Sequence, residues 1–277
     1  MKRASLLLLS ASVLAPGCLA ESASGFDRHQ FALQAGYFLS SWNTGVSVQG
    51  EARRNPQIDL EEDLGFDEDD ETYLLGLEWR FARRHKMVVG YWDFRREAKG
   101  DLQRDITLGD TTFPLGISVG SEWDISIVPV TYNYAFYDTE ALQIRASVGA
   151  HWTGVELGVR ARTDSGNSGA GVRRQVSAKA DAPLPVIGGG LRYRPWQNWE
   201  LGADGGWFGL SLDISGGDVE GDIVTANAYV EYSFTDNLSA GLKYTYFDMD
   251  IDIDKERWDG GVEFEYSGPQ VYLGLRF

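Results

Sequence analysis

The 277-residue chain carries 41 acidic and 25 basic side chains, a formal charge of −16, with 33 glycines and one cysteine. So acidic a balance, with no basic stripe to displace counterions from phosphates, excludes a nucleic-acid-binding protein. A single cysteine, Cys18, excludes a disulfide framework.

In chain order, Lys2 and Arg3 precede the apolar run Leu6 to Leu9, and small residues follow in "LAPGCLA". A short basic head, a short apolar middle and small residues near Ala20 make a secretory signal peptide over residues 1–20, with residues 21–277 as one exported domain. The apolar run is too short for a membrane-spanning helix. Lipidation at Cys18 is the rival reading, but Ala15 stands three residues before it where leucine is usual.

Beyond residue 25 no amphipathic helix and no long apolar run stands out. Segments rich in Tyr, Trp, Val, Leu and Gly alternate with polar connectors, and the count comes to about ten strands, with 8 or 12 as alternatives. Short connectors such as "ARRHK", "YDTE", "PWQN" and "FTDN" lie at one end, and long ones (about 42–70, 97–121, 160–182, 214–221 and 254–260) at the other. Next to the short connectors one face of each strand is apolar or aromatic, as in Tyr73, Leu75, Leu77, Trp79 and Phe81, or Val271, Leu273, Leu275 and Phe277. The opposite face carries Glu78 together with Arg80, Arg145, Arg192, Glu200, Glu231 and Lys243, and these last six are expected to pair across a narrow lumen. A soluble sandwich would alternate too, but would not bound its apolar face with Tyr and Trp. The pattern predicts an all-β fold, a transmembrane antiparallel up-and-down β-barrel.

Farther along each strand the polarity inverts. Leu242, Tyr244 and Tyr246 share a parity with Asp248, Asp250, Asp252 and Asp254, while Phe247, Met249 and Ile251 take the other face. The same exchange puts Trp92, Phe94, Trp123, Phe208, Leu210 and Phe264 on the inner parity. A barrel that continues past the bilayer, where water replaces lipid, accounts for this without a bulge in every strand. The inward set forms either a packed plug or a pocket for an apolar ligand. Ile58, Leu60, Leu64 and Phe66 have the spacing to fold over it. The outward aspartates form a carboxylate ladder, and Ca²⁺ or Mg²⁺ bridging them to lipopolysaccharide phosphates would relieve their repulsion.

With this signal peptide, these alternating strands and the terminal "VYLGLRF", the chain resembles small bacterial outer-membrane β-barrels of the OmpA- or OmpW-like kind. The resemblance implies a Gram-negative outer membrane, periplasmic termini, lipid and lipopolysaccharide as surroundings, and insertion by the barrel-assembly machinery reading the last strand. Leu275 stands where an aromatic residue is common.

Chemistry is sparsely represented. The three histidines are His29, His85 and His151. A proteolytic barrel of the omptin kind would need His–Asp and paired Asp groups at the outer cleft, and no long connector holds a histidine. A lipid-hydrolysing barrel would need His and Ser facing lipid, whereas His151 and Ser147 have lumen parity. "DLEEDLGFDEDDE" holds nine carboxylates in thirteen residues but lacks the spacing of an EF-hand. The expectation is therefore a non-enzymatic, monomeric outer-membrane barrel without a cofactor, serving as a surface structural or binding protein that handles small apolar ligands. A narrow porin-like channel is the alternative.

Overall fold

The computed structural model describes residues 29–49, 57–108, 111–163, 172–214, 217–255 and 258–277. The expected signal peptide, residues 1–20, lies outside them. In chain order the elements are β1 (Phe31–Gln49), β2 (Ile58–Asp59), α1 (Leu60–Leu64), β3 (Asp69–Ala82), β4 (His85–Asp101), β5 (Ile106–Leu108), β6 (Thr111–Phe113) and β7 (Ser118–Asp138). They continue as β8 (Leu142–Thr163), β9 (Val172–Trp196), β10 (Trp199–Ile214), β11 (Gly217–Ser233), β12 (Leu238–Lys255) and β13 (Trp258–Arg276).

Period-two alternation makes extended backbone the conformation that sorts these side chains between two environments. Among the described residues ten long strands form the wall, each antiparallel to its neighbours: β1, β3, β4, and β7 to β13. The wall closes where β13 pairs with β1, from Ala32 opposite Arg276 up to Gln49 opposite Asp259. Ten strands settle the count that the sequence left between 8 and 12.

A bilayer needs about 9–11 tilted residues per strand. Here β8 has 22 residues and β9 has 25, so the wall rises well beyond a membrane. The segments expected as long connectors are therefore mostly strand. β4 runs to Asp101, β7 begins at Ser118, and only residues 215–216 and 256–257 separate the strand pairs β10–β11 and β12–β13. Turn-like glycines and charges had suggested loops, but cross-strand pairing to long neighbours overrides that local preference.

The apolar belt is on the outside. Tyr73, Trp152 and Trp207 are 76%, 57% and 61% exposed, in line with exposed Leu75, Leu191, Leu242 and Leu273. Trp79, Phe81, Trp196, Trp199, Phe234 and Phe277 mark the opposite border, at the turn end. Two aromatic girdles bounding an apolar band are what a membrane-spanning barrel requires.

Two irregularities shape the far end. β3 is short and pairs with β1 only up to Ser41 opposite Asp69, which leaves a gap between β1 and β4. β2 takes over part of that edge of β1, at Gly45 and Val46. The second break is between β9 and β10, whose pairing ends at Trp207 opposite Ile187. Pro183 and Pro185 lie just beyond on β9 and have no N–H with which to extend that ladder.

A barrel with every wall strand paired around the ring resists detergent at room temperature, because no open edge exists in the apolar belt from which to unzip. Unboiled and boiled samples in dodecyl sulfate are expected to migrate differently on a gel, and a single band position in both would contradict closure.

Candidate functional site

The bore has two chemically distinct halves. Its turn-end half is lined by charged side chains joined into pairs. Lys86 donates to Glu78 at 2.8 Å, and Arg145 to Asp204 at 3.0 Å. Arg192 and Tyr229 both donate to Glu200 Oε1, at 2.7 and 2.9 Å, and Arg276 donates to Glu231. Asn227, Thr245 and Gln270 extend the network, with Thr245 donating to Asn227 at 2.7 Å and Gln270 to Thr245 at 2.8 Å. Gly202 and Gly241 provide the space for the rings of Tyr229 and Tyr272, which a Cβ at either position would meet at 2.1 and 2.4 Å. Between these pairs lies a cavity of about 280 Å³ that reaches from His29 and Gln30 at the mouth up to Phe38, Phe247 and Tyr266.

One expected pairing is corrected. Lys243 makes no ion pair or hydrogen bond among the described residues, and its ammonium instead lies 5.7 Å from the centre of the Tyr272 ring. The carboxylates around it are already engaged, Asp204 by Arg145 and Asn227, and Glu231 by Arg276.

The far half is apolar. Phe94, Trp123, Phe247 and Phe264 are no more than 1% exposed, and Met249 is buried with them. Trp42 meets Phe94 edge-on at 4.7 Å, and Phe247 stacks on Tyr266 at 4.9 Å. Trp92 and Ile251 are half-buried against this cluster. Phe208 is half-buried too, and the side chain of Leu210 lies outside the described residues. The cavity touches this mass only from below. Of the inward set, Phe94, Trp123, Phe247, Met249 and Phe264 belong to one buried cluster, with Trp92 and Ile251 packed against it.

Ile58, Leu60, Leu64 and Phe66 close the top as their spacing led one to expect, but sequence reasoning missed the helix that carries them and the side chains that hold it. The segment expected to be an acidic connector contains α1, capped by Asp59, which accepts from Glu62 N–H at 2.7 Å, and ended by Gly65 in the left-handed region. Five residues are too few for a helical periodicity to show. Leu60, Leu64, Ile58 and Phe66 are buried beneath it, and the β5–β6 hairpin adds buried Ile106 and Phe113. Two arginines hold the segment. Arg96 on β4 donates to Glu61 at 2.7 Å and to the Asp67 carbonyl, and its guanidinium lies 5.3 Å from the rings of both Trp42 and Phe66. Glu61 also accepts from Thr44 N–H at 2.8 Å. Arg104 grips Asp63 through both carboxylate oxygens, and this holds the Asp63 carboxyl below its ordinary range. The only signal was an excess of acid in a segment facing "RREAKGDLQR", and that does not name partners.

Asp250 and Asp252 are exposed and Asp248 is partly so, whereas the side chain of Asp254 is outside the described residues. Asp250 stands between Asp222 on β11 and Glu263 on β13, and Asp248 stands opposite Glu265. Partial burial, then repulsion from Asp252, Glu263, Asp222 and Asp248, raises the Asp250 carboxyl above its ordinary value. Among the described residues no His, Cys, Asp or Glu cluster has the geometry to hold a metal ion. His29 and His85 lie at the turn end and His151 faces the cavity with Ser147.

A closed ten-strand antiparallel wall, two aromatic girdles and a polar lumen define an outer-membrane β-barrel fold. A scan against protein-family models finds no match, and a search of curated proteins finds none. Among solved structures the chain is similar to the outer membrane protease OmpT from Escherichia coli, with a TM-score of 0.58 and 10% identity over 89% of this chain and 97% of that one. Weaker likenesses are to the P. putida toluene transporter TodX (TM-score 0.38, 9% identity, 90% of each chain) and to the outer membrane protein OprG from Pseudomonas aeruginosa (0.36, 11%, 91% and 98%). At such identities the OmpT likeness is one of fold, and its chemistry is not carried over.

Removing one member of a buried ion pair leaves the other charged and unpaired, which costs about 3–5 kcal/mol. Arg96→Ala should therefore free the α1 segment, read as accelerated amide exchange at Thr44 and Leu60–Leu64 with the rest of the barrel protected. Unchanged exchange there would show that the apolar contacts alone hold the cap.

Proposed function

We propose that this chain is a closed, non-conducting barrel of the outer membrane, with its termini in the periplasm and its strand extension outside the cell. There it acts as a surface structural or binding protein, not as an enzyme. The observation that carries this reading is the filled far half of the bore, from Phe247 and Tyr266 up to the arginine-held α1. The porin-like alternative would need a continuous aqueous path, and the cavity runs only as far as Phe38 and Phe247. A non-catalytic role agrees with the histidines, since among the described residues none lies on the far rim beside an aspartate. The last strand, ending "VYLGLRF", is the segment for the assembly machinery to read. Among the described residues the far half holds no open apolar chamber for small apolar molecules, so a binding role at that end falls to the outer surface.

On that surface, the row of Asp248, Asp250, Asp252, Asp222, Glu263 and Glu265, which has no cationic partner among the described residues, is the face for divalent cations shared with lipopolysaccharide phosphates.

Planar-bilayer recordings with the purified monomer are expected to show no steady ionic conductance, and a large steady conductance would return the choice to the channel. A second measurement addresses the carboxylate row. A group whose folded-state pKa is raised disfavours folding once it ionises, so its penalty is present at neutral pH and disappears as the pH falls below the carboxylate range. Converting Asp248, Asp250 and Asp252 together to Asn should raise the melting temperature at pH 7 in chelator, and less so in acid. With lipopolysaccharide present, calcium should stabilise the native protein and not this variant; equal calcium responses would dismiss the bridging role.

A further inference from the structure

We infer that the turn-end cavity is a binding site for a small organic anion, with the Lys243 ammonium as its counter-ion. Four features of the cavity support this. Six cationic side chains face four carboxylates among its described lining residues, an excess of positive charge inside a chain of net charge −16. Lys86, Arg145, Arg192 and Arg276 each have a carboxylate partner, and Arg80 donates to the His29 carbonyl at 3.0 Å. Lys243 does not share in this pairing, although it projects into the lumen at the level of the lipid-facing Leu242 and Tyr244. An ionised group at membrane depth without a partner is destabilising, and such residues mark ligand sites or ion paths. Among the described residues the filled far half leaves no through path, which favours a ligand site over an ion path.

The second feature is the roof. Phe247 lies four residues above Lys243 on the same inward face of β12, about 13 Å along the strand at 3.3 Å per residue. His151 stacks on Phe247 with ring centres 6.0 Å apart, and its Nδ1 is buried with no hydrogen-bond partner among the described residues. Phe38, Leu74 and Val186 complete an apolar ceiling. The third is size. At about 280 Å³ the cavity falls just under the 300–1,000 Å³ range of small-molecule sites, so it suits one ring or a short chain and not a lipid. The fourth is access, since the cavity extends to His29 and Gln30 at the mouth, on the side of the chain termini. The chemistry that fits is a carboxylate held against Lys243 by a charge-assisted bond, with an apolar body under Phe247 and a polar atom within reach of His151. This goes beyond the non-conducting reading and does not depend on what the outer surface binds.

The test uses the full-length barrel in detergent micelles, with 3-phenylpropionate as probe and its uncharged isostere 3-phenylpropanamide as control for micelle partitioning. Titration calorimetry should show saturable binding of the acid and at least about tenfold weaker binding of the amide. Lys243→Met, checked for folding by its gel shift, should weaken the acid at least about tenfold and leave the amide unchanged, while Lys243→Arg should retain the acid. Should Lys243→Met fail to fold, the lysine ¹³Cε resonances of the unmodified protein serve instead, with one shifting on addition of the acid and not of the amide. Equal binding of acid and amide, binding of neither, or acid binding indifferent to Lys243→Met would overturn the assignment.

Discussion

The ladder between β13 and β1 is the contact on which the rest of the molecule depends. It converts an open sheet into a tube, so that every wall strand in the apolar belt has both neighbours and no backbone edge meets lipid. Closure also limits the interior. Ten strands enclose a bore narrow enough for side chains to fill, and whatever points inward must be matched with what points inward from the other walls. In the turn-end half the match is electrostatic, through Lys86 with Glu78, Arg145 with Asp204, and Arg192 with Glu200. In the far half it is apolar, through Trp42, Phe94, Phe247, Phe264 and Tyr266.

The same strands serve two solvents. Along β12 the outward row passes from Leu242 and Tyr244 to Asp248, Asp250 and Asp252 as lipid gives way to water, and the inward row passes from Lys243 and Thr245 to Phe247 and Met249. Neither change needs a bulge, because β12 holds a continuous register with both β11 and β13. Inverting polarity on an unbroken strand keeps the wall stiff through the boundary. Its consequence is a set of carboxylates facing one another across three strands, Asp222, Asp250 and Glu263 among them, which only water, cations or protonation can ease.

The breaks in the wall are handled differently from each other. Above the end of β3 the gap between β1 and β4 is closed by the α1 segment, whose buried leucines and paired carboxylates match the apolar bore and the arginines of β4 and the loop after it. Three of the nine carboxylates in this acidic segment serve the closure, Glu61 held by Arg96, Asp63 by Arg104 and Asp59 as the helix cap. Between β9 and β10 the two prolines end pairing without a substitute strand among the described residues.

Much of the fold was legible because a strand in a barrel has only two faces. Parity alone sorts Tyr73, Leu75 and Leu77 from Thr72, Leu74 and Gly76, and a change in what the parity carries, as at Tyr246 and Asp248, marks the membrane border. The inward turn of Trp123 or Phe264 follows from the same rule, whereas the strand count, about ten with 8 or 12 left open, was settled by the closed wall. Parity says nothing about which inward residues meet across the lumen, since that is set by the stagger of strands that are distant in sequence. So Arg96 finding Glu61, 35 residues away, Arg104 finding Asp63, and above all Lys243 having no carboxylate to itself were decided by the closed tube. The sequence by itself determined which side each residue faces; the tertiary structure decided who stands opposite, because only closure brings those walls within bonding distance.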